Sequence, residues 1–270
     1  MRALVLLLSV LAGLAAGSGG ALADASGKAL GVDQDARAQT KAEIKQLTVG
    51  ADLFIGDRVI TDARGLVQIK FSDNTKLVVG PNSSLVLEDY LLREDGSGGK
   101  FAINALSGTF RFVTGGAPKD RYLIETPTGT IGVRGTGFDL NSKPDHASLM
   151  LYHGAVVLCN KANDCVTVDD ICEIGTADVS DAQILGVATE MTQAEREQMR
   201  GMFPYADDES DLIGQFRIAQ ARECLNRPVT PTQQEPASGT NDDAGPQGGR
   251  GTDGGNGGGG NDNPDGRKAP

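Results

Sequence analysis

Between Val67 and Cys159, large apolar residues recur at every second position in short bursts, and this pattern constrains the fold more than any other feature of the chain. Val67, Ile69 and Phe71 alternate with polar neighbours, as do Leu77 with Val79 and Leu85 with Leu87. A period of two is the pitch of a β-strand with one buried face. Segments 100–106, 108–113, 122–125, 131–133, 137–140, 147–152 and 155–159 read the same way, with Gly, Asn, Asp and Pro punctuating them. If Phe71 and Leu77 share a face, an odd number of residues turns the chain between them. Asp73-Asn74-Thr75 serves, because Asp and Asn tolerate the left-handed conformation such turns use. Many short strands with close turns predict a mainly β domain, solenoid-like or sandwich-like, over residues 49–175.

The flanks read differently. Arg2, the apolar run from Leu4 to Leu14 and the small-residue close Ala21-Leu22-Ala23 form a cleavable export signal over 1–23. No further stretch is apolar enough to span a membrane, so a periplasmic protein without a membrane span is expected. Residues 24–48 are polar and alanine-rich and read as a flexible lead or a short helix around 35–47. Past Gly175 the spacing becomes helical. Thr192 and Glu195 make a capping box for a helix running toward Met202. Leu212, Ile213, Phe216 and Ala219 share a face of a second helix over 209–225, which completes a C-terminal helical extension over 176–226. Residues 227–270 are Gly, Asn, Asp and Pro with few large apolar side chains, a composition that predicts a disordered tail. Gly248-Gly249-Arg250-Gly251-Thr252-Asp253 and the run from Gly257 to Asp262 imitate a calcium-binding nonapeptide. Gly255 and Pro264, however, occupy the positions where a β-roll needs large apolar residues.

The chain has 25 basic and 36 acidic residues, a net charge of −11, and loss of Arg2 with the leader makes it one unit more acidic. That surface repels phosphate backbones, so no nucleic-acid partner is expected. Cys159, Cys165, Cys172 and Cys224 are even in number in an exported chain, which favours two disulfides over metal ligation. Their spacing also departs from the close pairs of zinc sites. Of the three possible pairings, Cys159 with Cys165 would close a short turn, and Cys172 with Cys224 would tie the last helix to the β domain. His146 and His153 have no nucleophile in a recognisable elbow beside them. The paired acids Glu94-Asp95 and Asp169-Asp170 fall in loops. No catalytic residue, metal or cofactor is therefore expected, and no ligand-binding residue is singled out. The alternative is an enzyme using loop carboxylates on cell-wall carbohydrate.

Residues 50–160 carry an ordered series of motifs: Gly50-Ala51-Asp52-Leu53, Gly56-Asp57-Arg58-Val59-Ile60-Thr61, Phe71 to Leu77, and Gly80-Pro81-Asn82-Ser83. The sharpest is Thr126-Pro127-Thr128-Gly129-Thr130-Ile131-Gly132-Val133-Arg134-Gly135-Thr136, and His153-Gly154-Ala155-Val156 closes the series. In that order they resemble the FecR domain of the ferric citrate regulator family. The resemblance implies an all-β periplasmic domain and, in founding members, a relay from an outer-membrane transporter to a cytoplasmic sigma factor. This chain shows no cytoplasmic domain ahead of a membrane helix, so direct sigma-factor contact is not expected. A binding or scaffold module remains, with an envelope protein or a cell-wall polymer as partner. Within the motif, Thr126, Pro127, Gly132, Val133, Arg134, Gly135 and Thr136 are expected to be structural. Arg134 would clamp turns through carbonyls and an acid such as Asp57 or Asp73; the alternative is a guanidinium that grips a carboxylate or phosphate of a ligand.

Overall fold

The computed structural model describes residues 25–226 except 34, 41, 91–100, 117, 119 and 120; the expected export signal over 1–23, the expected disordered tail over 227–270 with its nonapeptide imitations, and Glu94-Asp95 lie outside the described residues. Fifteen strands form one open sheet: β1 (Gly27–Val32), β2 (Ala36–Gln39), β3 (Ile44–Gln46), β4 (Asp52–Leu53), β5 (Arg58–Thr61), β6 (Val67–Phe71), β7 (Lys76–Val79), β8 (Ser84–Tyr90), β9 (Phe101–Val113), β10 (Tyr122–Glu125), β11 (Gly129–Ser142), β12 (His146–Asn160), β13 (Cys165–Val168), β14 (Glu173–Asp178) and β15 (Ala182–Val187). The order runs β15-β14-β12-β11-β10-β9-β7-β6-β1-β4, with β13 on β12 and the group β2, β3, β5 and β8 joined to it through β9. The architecture is mainly β, as the alternation predicts.

Pairs of predicted strands fuse into single long ones. Segments 100–106 and 108–113 are the two halves of β9, which changes partners from β8 and β10 to β7 and β11. Gly108 sits at the change with φ 112, a conformation side chains disfavour. Likewise β11 and β12 change partners around Gly135 and Gly154. A Cβ on Gly154 would lie 2.3 Å from the Gly135 carbonyl oxygen, so only glycine allows this crossing. Bent in this way, the sheet presents one face to a single apolar core that includes Ile69, Leu77, Leu85, Phe112, Ile131, Phe138, Leu149 and Leu158.

Three expectations are corrected. Residues 24–48 hold strands, not a flexible lead or helix, so the β domain begins near Gly27. β1 pairs with β6 along its length, and Ala29, Ala36 and Ala38 are wholly buried in the core. In the β6–β7 hairpin, Leu77 faces Ile69; the Phe71 N–H donates to the Thr75 carbonyl and the Phe71 carbonyl accepts from the Asn74 N–H, closing a Ser72-Asp73-Asn74 turn with Asn74 at φ 69. The turn is one residue earlier than predicted, with the same parity. The third correction is the single helix over 209–225. Helix α1 (Gln193–Met202) has its Thr192–Glu195 capping box, and α2 (Pro204–Asp207) follows it. The chain from 209 then runs irregularly, through turns at 210–212 and 219–220 and a 3-10 turn at Gly214–Phe216, and it becomes α-helical again only in α3 (Ala221–Asn226). Side chains satisfy backbone amides that a helix would use. The Ile213 N–H donates to Gln68 Oε1 (2.7 Å), and the Ile218 N–H donates to Glu209 Oε1 (2.9 Å).

Two disulfides, Cys159–Cys165 and Cys172–Cys224, hold the structure. The first joins cross-strand neighbours of β12 and β13. The second ties α3 to the residue preceding β14.

Candidate functional site: a sealed ionic clamp and the cleft beside it

Cross-strand register places Gln68, Val78, Arg111, Asp139, Met150 and Ile174 in one row, each opposite the next. Alternation points these side chains away from the core. They are buried nonetheless, because residues 188–226 lie across them. Met150 and Ile174 pack against Phe203, Ile218 and Ala221, and Val78 packs against Tyr205, Leu212 and Phe216. Gln68 is gripped at both ends of its amide by the extension, donating to the Asp211 carbonyl at 3.1 Å and accepting from Ile213.

At the centre of the row, Arg111 is 1% exposed and Asp139 is 0%. The Arg111 Nε donates to Asp139 Oδ1 at 2.6 Å and an Nη donates to Oδ2 at 3.0 Å, a two-pronged pair. The other Nη donates to Glu209 of the extension. Tyr152 Oη donates to Asp139 Oδ2 at 2.7 Å. The guanidinium carbon also lies 5.2 Å from the centre of the Tyr152 ring and 5.6 Å from that of Tyr205. Burial pulls the Arg111 guanidinium downward, but Asp139, with smaller contributions from Tyr152 and Glu209, outweighs it and raises the group well above its usual range. Burial pushes the Asp139 carboxyl upward, against the pull of Arg111 and Tyr152. The Tyr152 hydroxyl is pushed far up, by burial first and by Asp139 second. One cation thus serves two carboxylates in a site sealed from solvent. Such a cluster clamps three strands to the extension, and no outside substrate reaches it.

Beside the clamp, at the seam between sheet and extension, a cleft of about 480 Å³ opens. Leu66, Pro81, Pro204 and the Tyr205 ring give it apolar surface. Asp33 and Arg64 enter from the sheet side, and Arg200, Asp207, Asp208 and Asp211 from the extension. Both arginines have acid neighbours: Arg200 Nε donates to Asp207 at 2.9 Å, and Arg64 lies 3.4 Å from Asp35. Backbone and side-chain hydrogen bonds from Ser210 hold Asp208 below the usual carboxylate range. An acid-rich rim over an apolar floor suits a cationic side chain on an apolar stem.

The predicted structural motif lies elsewhere. The Thr126 hydroxyl closes a turn by accepting from the Gly129 N–H at 3.0 Å. Pro127 lies in that turn, Gly132 pairs with Val157, Val133 faces the core, and Gly135 (φ 70) and buried Thr136 form the bulge against Gly154. Arg134 is exposed and makes no side-chain hydrogen bond or ion pair among the described residues, so the expected clamp is not there. Of the acids named for it, Asp57 caps the Phe54 N–H, and Asp73 accepts from Thr75 and from Tyr122 Oη. A buried arginine clamp does exist, but it is Arg111. Its sequence signal is a charge set between bulky residues within a strand, in Phe110-Arg111-Phe112 and again in Phe138-Asp139-Leu140. His146 pairs with neighbouring Asp145, and no group of three or more metal-binding side chains comes together among the described residues.

Residues 57–157 match the family model described as FecR protein. Two solved structures from Parabacteroides distasonis ATCC 8503, both assigned as an anti-sigma factor, are similar to this chain. One is 13% identical over 52% of this chain and 64% of its own, and the other 12% identical over 54% and 74%, each with a TM-score of 0.38. The chain therefore spans 64% of the length of the first of them. None of the curated proteins matches it. The matched region runs from the residue before β5 into β12, so β1–β4 and the clamp's Glu209 fall outside it.

Proposed function

From a chain that carries a FecR domain at residues 57–157, we propose a periplasmic binding or scaffold module without catalytic activity, working in cell-envelope signalling. The seam cleft carries this reading: it is an open recess with an acidic rim and an apolar floor, built jointly by the FecR sheet and the extension. Its partner is an envelope protein presenting a basic, partly apolar segment. Two disulfides suit an oxidising compartment. No helix of the described residues is long and apolar enough to cross a membrane. The wholly buried carboxyl of Asp139 spends its chemistry on Arg111 and Tyr152 inside the protein, which supports binding over turnover.

The test uses the oxidised protein immobilised as bait for envelope proteins, beside an Asp208→Asn/Asp211→Asn variant. A partner should be held by the wild type and lost from the variant, with the melting temperature unchanged because both acids are at the rim. Equal retention by the two proteins would overturn the cleft reading. Release of soluble sugar from purified peptidoglycan, abolished in the same variant, would establish the carbohydrate-active enzyme instead.

A further inference from the structure

Two residues along the strands from the clamp row, the same outward face carries Lys28, Lys70 and Lys76. Lys28 is directly opposite Lys70, and Lys70 is directly opposite Lys76, across β1, β6 and β7. Like charges set opposite each other across strands repel and weaken a sheet. Nothing in the chain's composition forces the arrangement, since acids outnumber bases. Lys28 meets Asp52 at 2.6 Å, whereas Lys70 and Lys76 have no ion-pair partner among the described residues. The row therefore keeps uncompensated positive charge at a cost to the fold. A shallow concavity of about 280 Å³ lies at the Lys28–Lys70 end of the row, bordered also by Leu30, by Asp52, which is paired with Lys28, and by residues 25–27 and 71–72.

We propose that this row binds a linear anionic polysaccharide with one carboxylate per sugar. Adjacent strands are about 4.8 Å apart, so the three ammonium groups make a straight ladder running across the strands over roughly 10 Å. A chain of acidic sugars presents single charges at about the length of one ring, and it lies flat in a shallow trough. Lysine fits this task, because its ammonium is a mobile point charge that needs no two-pronged partner. The acid-rich remainder of the surface repels polyanions at long range, so attraction acts only within about a Debye length, roughly 8–10 Å. That reach excludes a membrane, which would bring a wide anionic plane against the acidic surface. An extended acidic peptide would alternate its carboxylates to opposite sides and match the ladder poorly. The inference is independent of what occupies the seam cleft.

The experiment measures binding of the oxidised full chain to polygalacturonate, its neutral methyl ester, polyglutamate and phosphatidylglycerol vesicles. Polygalacturonate should bind best, and more weakly as salt is raised, while the methyl ester should not bind. Lys70→Glu/Lys76→Glu should weaken binding at least about tenfold, because two ammonium–carboxylate contacts are lost and replaced by repulsion. Lys161→Glu, in the exposed β12–β13 turn, should leave it unchanged. Lys70→Gln serves as a milder variant, with the melting temperature recorded for each protein. Absence of polygalacturonate binding, equal binding by the charge-reversed protein, or preference for polyglutamate or vesicles would each overturn the proposal.

Discussion

Two rows on one face of the sheet, two residues apart along the strands, treat charge in opposite ways. The row through Arg111 and Asp139 is roofed by the extension, and every charge in it is answered: one guanidinium meets two carboxylates and two aromatic faces. The row through Lys28, Lys70 and Lys76 lies outside that roof and leaves two lysines without ion-pair partners among the described residues. Burial accounts for the difference. Out of water, an unanswered charge costs several kcal/mol and the fold must supply a partner. At the surface, water screens the charge and the cost of repulsion falls to tenths. The roof thus decides which row can be spent on structure and which remains available to a ligand.

The contrast breaks most sharply at Arg111. Arg111→Ala strands Asp139 and Glu209 in the interior and should destabilise the protein by about 3–5 kcal/mol, read from urea unfolding. A loss under about 1 kcal/mol would mean that the two acids are neutral without the arginine, and that the clamp is not ionic. The next largest effect concerns the roof. Cys172→Ser/Cys224→Ser opens a loop of sequence separation 52 and should cost about 4 kcal/mol in the chain-entropy model. Amide exchange should then quicken in the strands bearing Arg111 and Asp139 before it does so around Lys70. The smallest effects separate the two exposed basic positions. Lys70→Gln removes a repulsion and should raise stability by about 0.2–1 kcal/mol. Arg134→Ala, which removes no partner, should stay within about 0.5 kcal/mol. A loss of stability at Lys70 would show that it has a compensating contact and would remove the reason to treat its row as a binding surface.

Much of the sheet was legible in the chain because the core face is made of large residues at period two. Val67, Ile69, Leu77 and Val79 announce their strands one by one. The capping box at Thr192 and Glu195 was equally plain, since its reciprocal bonds are local. The N-terminal strands were not legible, because Ala29, Ala36 and Ala38 fill the core with methyl groups and leave no hydrophobic rhythm. The stretch over 209–225 misled for the converse reason. Its apolar spacing is helical, yet Gln68 and Glu209, distant in sequence from the amides they satisfy, hold the chain in turns rather than a helix. The clamp went unread because an arginine in an apolar strand gains its meaning only when register sets Asp139 opposite it, and register depends on bends at glycines whose effect is not local. The seam cleft could not be read at all, since its two walls come from segments more than a hundred residues apart.

The Cys172–Cys224 bond also has a mechanical consequence. Tension applied to the chain beyond Leu225 passes through the sulfurs into Cys172, the residue before β14, with the intervening helices outside the load path. The extension therefore cannot be peeled from its C-terminal end while that bond is intact. A module pulled by whatever follows Asn226 would transmit the force as a rigid sheet, and its clamp and cleft would keep their shape under strain.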